Sequence, residues 1–283
     1  MTHRLLPILA VLICPVCRAA AADTAADYTR EVRRIRGLMP DGFSLVQTPP
    51  FIVVGDEPPA MVRRRAERTV AWAVRMLKKA YFKKDPDDVI TVWLFKDRKS
   101  YRHHAKLLFN NRPDTPFGYY SSHHKALVMN IATGGGTLVH EIVHPFVAAN
   151  FPRCPAWFNE GLGSLYEQCG RRDGCIVGFT NWRLAGLQKS IKAGDLPSFK
   201  TLTHTTTHQF YNQDPGTNYA QARYLCYYLQ EHGLLRKYYR LFHKRAAKDA
   251  TGYTTLQRVL GQTDMTAFQQ QWEEWVLELR FGH

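Results

Sequence analysis

The sequence predicts an α+β fold, a small mixed sheet with helices followed by a mainly helical half. Three observations predict it. Short apolar runs alternate with amphipathic stretches from Phe51 to Met129, a glycine triplet at 134–136 ends that alternation, and helical periodicity dominates after Thr137. The 283 residues are 45% hydrophobic and 22% charged, which is enough for a large core and excludes a disordered, collagen-like or coiled-coil chain.

The N-terminus reads as a leader. His3 and Arg4 precede an apolar run from Leu5 to about Cys17, and Ala20 to Ala22 offer a small-residue cleavage site before Asp23. That run is about 13 residues against the roughly 20 needed to cross a bilayer, so cleavage is favoured over a permanent anchor. Residues 1–22 are therefore expected to be a signal peptide, with a secreted or periplasmic product and no membrane span after cleavage. Residues 23–283 are expected to form one domain, mixed α/β over 23–136 and helical over 137–283.

Within the mixed half, Phe51 to Val54 is a short strand bounded by prolines and Gly55. Pro59 to about Tyr81 is a helix with Met61, Ala66, Val70, Ala73, Val74 and Leu77 on one side and Arg63, Arg64, Arg65 and Lys78 opposite. Val89 to Phe95 is almost continuously apolar, as a central strand should be. Ser100 to Phe109 is a second helix, and Ala126-Leu127-Val128-Met129 a third strand following a turn at Gly118. After Thr137, only the turn at 150–155 and the polar stretch from about Lys200 to Asn218 are expected to be non-helical.

Removing the leader takes away Cys14, Cys17, Arg4 and Arg18, so a formal charge of +14 becomes 14 − 2 = +12 and four cysteines remain of 6. An even number in an exported chain suggests disulfides. Cys169 and Cys175 flank a turn-rich loop and are expected to pair, leaving Cys154 for Cys226; two other connectivities, and buried free thiols, stay open. The charge suggests a polyanionic partner, with Arg63 to Arg65 and Arg171-Arg172 as its clusters, yet no nucleic-acid motif accompanies it. His123 and His124 read as a solvated turn.

The chemistry lies in Thr137-Leu-Val-His140-Glu141-Ile-Val-His144. Histidines four apart share a helix face and can offer imidazole nitrogens to one ion, while Glu141 is displaced about 100° and can reach water beside it. Chance would place His-Glu-x-x-His in such a chain about 0.02 times. A buried metal wants a third protein ligand, which a nearby helix from Ala156 supplies as Glu160, with Glu167 two turns further on the same face.

Here the sequence resembles the gluzincin metallopeptidases, the peptidase MA-like group that includes aminopeptidase N. That family reads His-Glu-x-x-His, a short loop, then Trp-x-x-Glu-Gly-x-x-x-x-x-Glu, matched by Trp157, Glu160, Gly161 and Glu167. Asn218-Tyr219-Ala-Gln-Ala222 is similar to the helix whose leading tyrosine faces the metal. The resemblance implies a zincin-like catalytic domain, one Zn2+ held by His140, His144 and Glu160, Glu141 as general base and Tyr219 as oxyanion donor. It further implies Glu167 orienting a ligand histidine, and an edge strand, Ala126 to Met129, pairing with a peptide or protein substrate.

Three departures qualify the match. Pro145 follows His144 and is expected to kink the helix, Gly163 and Ser164 replace the family's Ala and acidic residue, and no Gly-x-Met-Glu-Asn segment anchors a substrate amine. The last absence points to an endopeptidase-like zinc peptidase. The alternative is a non-catalytic exported relative, a degenerate zincin whose basic surface captures polyanions.

Overall fold

A computed structural model describes residues 15–282, with side chains from 27 onward except at Pro215. Residues 1–14 of the expected signal peptide lie outside the described residues. Among the described residues no helix is long and apolar enough to cross a membrane. The chain divides into two units at Pro40. The first holds α1 (Pro15–Leu38), with exposed pairs Arg30–Asp27 and Arg34–Glu31 at 2.9 and 2.6 Å.

The second unit opens on β1 (Ser44–Thr48) and β2 (Phe51–Gly55), then α2 (Pro59–Arg65), a π-helical turn (Ala66–Val70), α3 (Ala71–Ala80), β3 (Ile90–Phe95) and α4 (Arg98–Phe109). β4 (Gly118–Ser121) and β5 (Ala126–Asn130) complete a mixed sheet of order β1-β2-β3-β5-β4, in which β2, β3 and β5 are parallel and the outer strands antiparallel to their neighbours. β3 is central and wholly buried, as its apolar run requires. β1 and β4 escape the sequence reading because both are half-exposed and carry polar residues in place of an apolar run.

One expectation is overturned by this order. Ala126, Leu127, Val128 and Met129 do not form the sheet edge. β5 pairs on both sides, with β3 and β4, and all four residues are buried. The terminal strand on that side of the sheet is β4, and β1 is terminal on the other.

Alternation along the strands splits the sheet into two faces. Phe51, Val53, Val92, Leu94, Leu127 and Met129 point into the main core, while Trp93 and Phe95 pack on α4 through Phe109 and His104. The main core is closed by α5 (Gly135–Asn150) and α6 (Ala156–Leu165). α5 is buried on nearly every side and runs unbroken through Pro145. Its N-cap is Gly134, at φ 107°.

The rest of the helical half departs from expectation twice. Residues 169–178 are a hairpin, β6 (Cys169–Arg172) and β7 (Cys175–Gly178). The stretch around 200–218 is helical, with α8 (Phe199–Thr203) and α9 (Thr207–Asn212) following α7 (Arg183–Ala193). Side-chain caps explain the second case. Ser198 accepts from Thr201 N–H, and Thr206 with Gln209 forms a capping box, so residues that read as loop formers are helix starters. α10 (Pro215–Glu231), α11 (Leu235–Arg245), α12 (Tyr253–Leu260) and α13 (Met265–Glu278) complete the chain.

Cys154, Cys169, Cys175 and Cys226, the cysteines whose side chains are described, are free. In the hairpin Cys169 sits opposite Gly178 and Cys175 opposite Arg172, three ladder positions apart and on opposite faces, so Cys169–Cys175 cannot close without breaking the strands. Cys154 and Cys226 are likewise unbonded, and burial raises the pKa of both thiols.

α6 packs on α10 at close range, and Gly161 is why. A Cβ there would stand 2.9 Å from the Ala222 carbonyl oxygen and 3.1 Å from Cys226 Sγ. Gly161→Val should therefore push the helices apart and cost about 1–3 kcal/mol, read as a lower urea midpoint at unchanged slope. Unfolding at the wild-type midpoint would contradict this packing.

Candidate metal centre

α5 and α6 present the three expected ligands to one point. His140 and His144 lie one turn apart on α5, with ring centroids separated by 4.8 Å. Glu160, on the facing side of α6, places Oε2 3.2 Å from His140 Nε2 and 3.7 Å from His144 Nε2. One donor atom from each residue lies within 4.8 Å of the others, and the group can hold a metal ion. A tetrahedral ion with bonds near 2.0–2.1 Å sets its ligand atoms roughly 3.3 Å apart, so small side-chain adjustments suffice.

Two further observations fit a metal. Both imidazoles turn Nε2 to the shared point: His144 Nδ1 bonds Asn159 Oδ1 at 3.0 Å, while the buried His140 Nδ1, without an aligned hydrogen bond, lies 3.3 Å from Glu167 Oε1. Gly163, one turn after Glu160, faces the same spot. A Cβ there would stand 3.2 Å from His140 Nε2 and from His144 Cε1, so its absence leaves room for the rings.

Glu167, the carboxylate beside His140, is held firmly. Arg183 donates to it twice, from Nε at 3.0 Å and Nη2 at 2.8 Å, and Asn181 Nδ2 adds a third bond at 2.9 Å. The Arg183 guanidinium also lies over Trp182 at 4.2 Å and over Tyr219 at 5.1 Å. It thus ties Glu167 to the tyrosine that the sequence places at the site.

Electrostatics follow from burial. His140 and Glu160 are only 6% and 5% exposed. Burial alone would lower the His140 pKa, but the Glu160 and Glu167 carboxylates outweigh it and push it up to about 10. Burial would raise Glu160 and Glu167. His144, His140 and Tyr211 instead hold Glu160 at about 2, and His140 with Arg183 holds Glu167 at about 2. Burial and the nearby Glu160 carboxylate raise the Tyr219 hydroxyl, which therefore stays protonated.

Glu141 and Tyr219 meet in a cleft of about 520 Å³ beside the ligands, bordered by His140, Arg183, Gly118 at the start of β4 and the glycine triplet. Asn159, Arg183, Asn181 and Tyr211 are site residues that sequence reasoning missed. Asn159 was within reach, since it directly precedes Glu160. The others come from loops and short helices with no spacing relation to the motif.

The basic clusters do not combine with the site. Arg65 is paired with Glu57 at 3.2 Å and Arg172 with Glu231 at 2.7 Å, and His123 is exposed in the turn before β5. No family model matches the chain, and no curated protein matches it significantly.

A metal ligand must be a neutral imidazole, whereas metal-free His140 keeps its proton up to about pH 10. Uptake of a divalent ion near pH 7 should therefore expel about one proton, and affinity should rise with pH until His140 titrates. Calorimetry in buffers of different ionisation enthalpy measures this; release near zero would contradict the assignment of His140 as a ligand.

Proposed function

We propose that the chain is a zinc-dependent peptidase of the gluzincin type with a zincin-like domain, exported, and endopeptidase-like in its action. The observation that carries this reading is the convergence of His140, His144 and Glu160 beside a cleft that Glu141 and Tyr219 line. Two imidazoles and one carboxylate are a donor set suited to zinc with a coordination position left open. A zinc ion there supplies Lewis acidity and lowers the pKa of water from 15.7 toward about 7.

The chain's own residues do the remaining work. Glu141 follows His140 on α5 and lines the cleft, where its carboxylate takes the proton of the attacking water and returns it to the leaving amine. The Tyr219 hydroxyl, protonated in its buried setting, donates to the oxygen on which negative charge develops, a contribution of about 3 kcal/mol. Glu167, clamped by Arg183, holds His140 in the orientation that presents Nε2.

An extended peptide is the substrate that this cleft suits. β4 is a terminal strand of the sheet, and Gly118 at its start and Phe117 just before it border the cleft, so a substrate backbone can pair along its outer edge. This moves the expected pairing from β5 to β4 and leaves its physical basis unchanged.

Glu141→Gln separates chemistry from metal binding. The variant should retain zinc at the wild-type level, while cleavage of a mixed peptide library falls by about 10²–10⁴-fold. Hydrolysis at the wild-type rate would remove Glu141 as the base. Tight zinc without cleavage of any peptide by the wild type would favour a non-catalytic zincin.

A further inference from the structure

Asn159 hydrogen-bonds the His144 ring and Glu167 lies beside the His140 ring, and the carboxylate between them has an outer contact as well. The Tyr211 hydroxyl donates to Glu160 Oε1 at 2.5 Å. The other oxygen, Oε2, is the one that faces His140 and His144. We propose that Tyr211 is a positioning residue that holds Glu160 as a one-oxygen metal ligand, an assignment that rests on the metal centre described above.

A carboxylate can give a divalent ion one oxygen or both. Binding through both would fill the coordination position that water or substrate needs. With Oε1 engaged by a phenol, Oε2 alone remains for the metal, and the open position is preserved.

The fold holds Tyr211 in place for this task. α9 starts at the Thr206–Gln209 capping box and plugs the core with Phe210, which is fully buried. Asn218 Nδ2 donates to the Phe210 and Gln213 carbonyls at 3.1 and 2.6 Å, tying α9 to the first turns of α10. The two tyrosines near Glu160 therefore divide their roles. Tyr219 borders the cleft with Glu141, whereas Tyr211 does not line it and has its hydroxyl committed to the ligand.

The test compares wild type, Tyr211→Phe and Tyr219→Phe by Zn2+ affinity, measured against a chromophoric chelator, and by the visible absorption of the Co2+-loaded protein. Tyr211→Phe should bind Zn2+ at least about tenfold more weakly and change the Co2+ spectrum, because Glu160 is freed to rotate or bind through both oxygens. Tyr219→Phe, whose hydroxyl also lies near Glu160, should weaken Zn2+ binding less than Tyr211→Phe does. Phenylalanine keeps the ring packing, and an unchanged melting temperature verifies that the fold survives. Wild-type affinity and spectrum in Tyr211→Phe would overturn the proposal, as would equal weakening by both variants. Absence of Zn2+ binding by the wild type would overturn the metal centre itself, a different failure from the one at Tyr211.

Discussion

The structure depends on a carboxylate buried between two helices. Taking Glu160 out of water costs several kcal/mol unless its charge is met, and nothing apolar in the core can meet it. The imidazoles of His140 and His144 do so from α5, and the Tyr211 hydroxyl does so from α9. That requirement draws α5, α6 and α9 to one point and favours the protonated form of His140. It also explains a shell of contacts that would otherwise be unrelated.

That shell is built from every direction. Asn159 holds His144, and Glu167 holds His140 while Arg183 and Asn181 hold Glu167. Behind them the fully buried Arg223 donates to the Ser164 carbonyl at 2.9 Å, securing the end of α6 from which Glu167 follows. Trp157 reaches the Thr251 carbonyl at 2.9 Å, linking the ligand helix to the segment before α12. A group of donors held in this way by its neighbours can take an ion with little rearrangement.

Much of the centre was legible because helical geometry is local. His140, Glu141 and His144 announce their faces by spacing alone, and Glu160 follows on the next helix by the same rule, whereas Glu167, expected two turns along that helix, stands in the turn just past its end at Leu165. Gly163, a departure when compared with the family pattern, gains a reason in the room it leaves for both rings. What was not legible is non-local. The strand order that buries Ala126 to Met129 and exposes β4 depends on pairing between distant segments, and the free thiols depend on the register of β6 and β7. Tyr211 was hidden because its helix rests on caps from Thr206 and Gln209, residues that read equally well as a loop.

The central claim is that one ion sits between α5 and α6 on three named atoms. Anomalous diffraction at the zinc edge, from crystals of the protein purified without added metal and then supplied with one equivalent of Zn2+, tests it most directly. The account predicts a single peak bonded to His140 Nε2, His144 Nε2 and Glu160 Oε2. No peak at that position, or zinc bound only at the exposed histidines or free thiols, would contradict it.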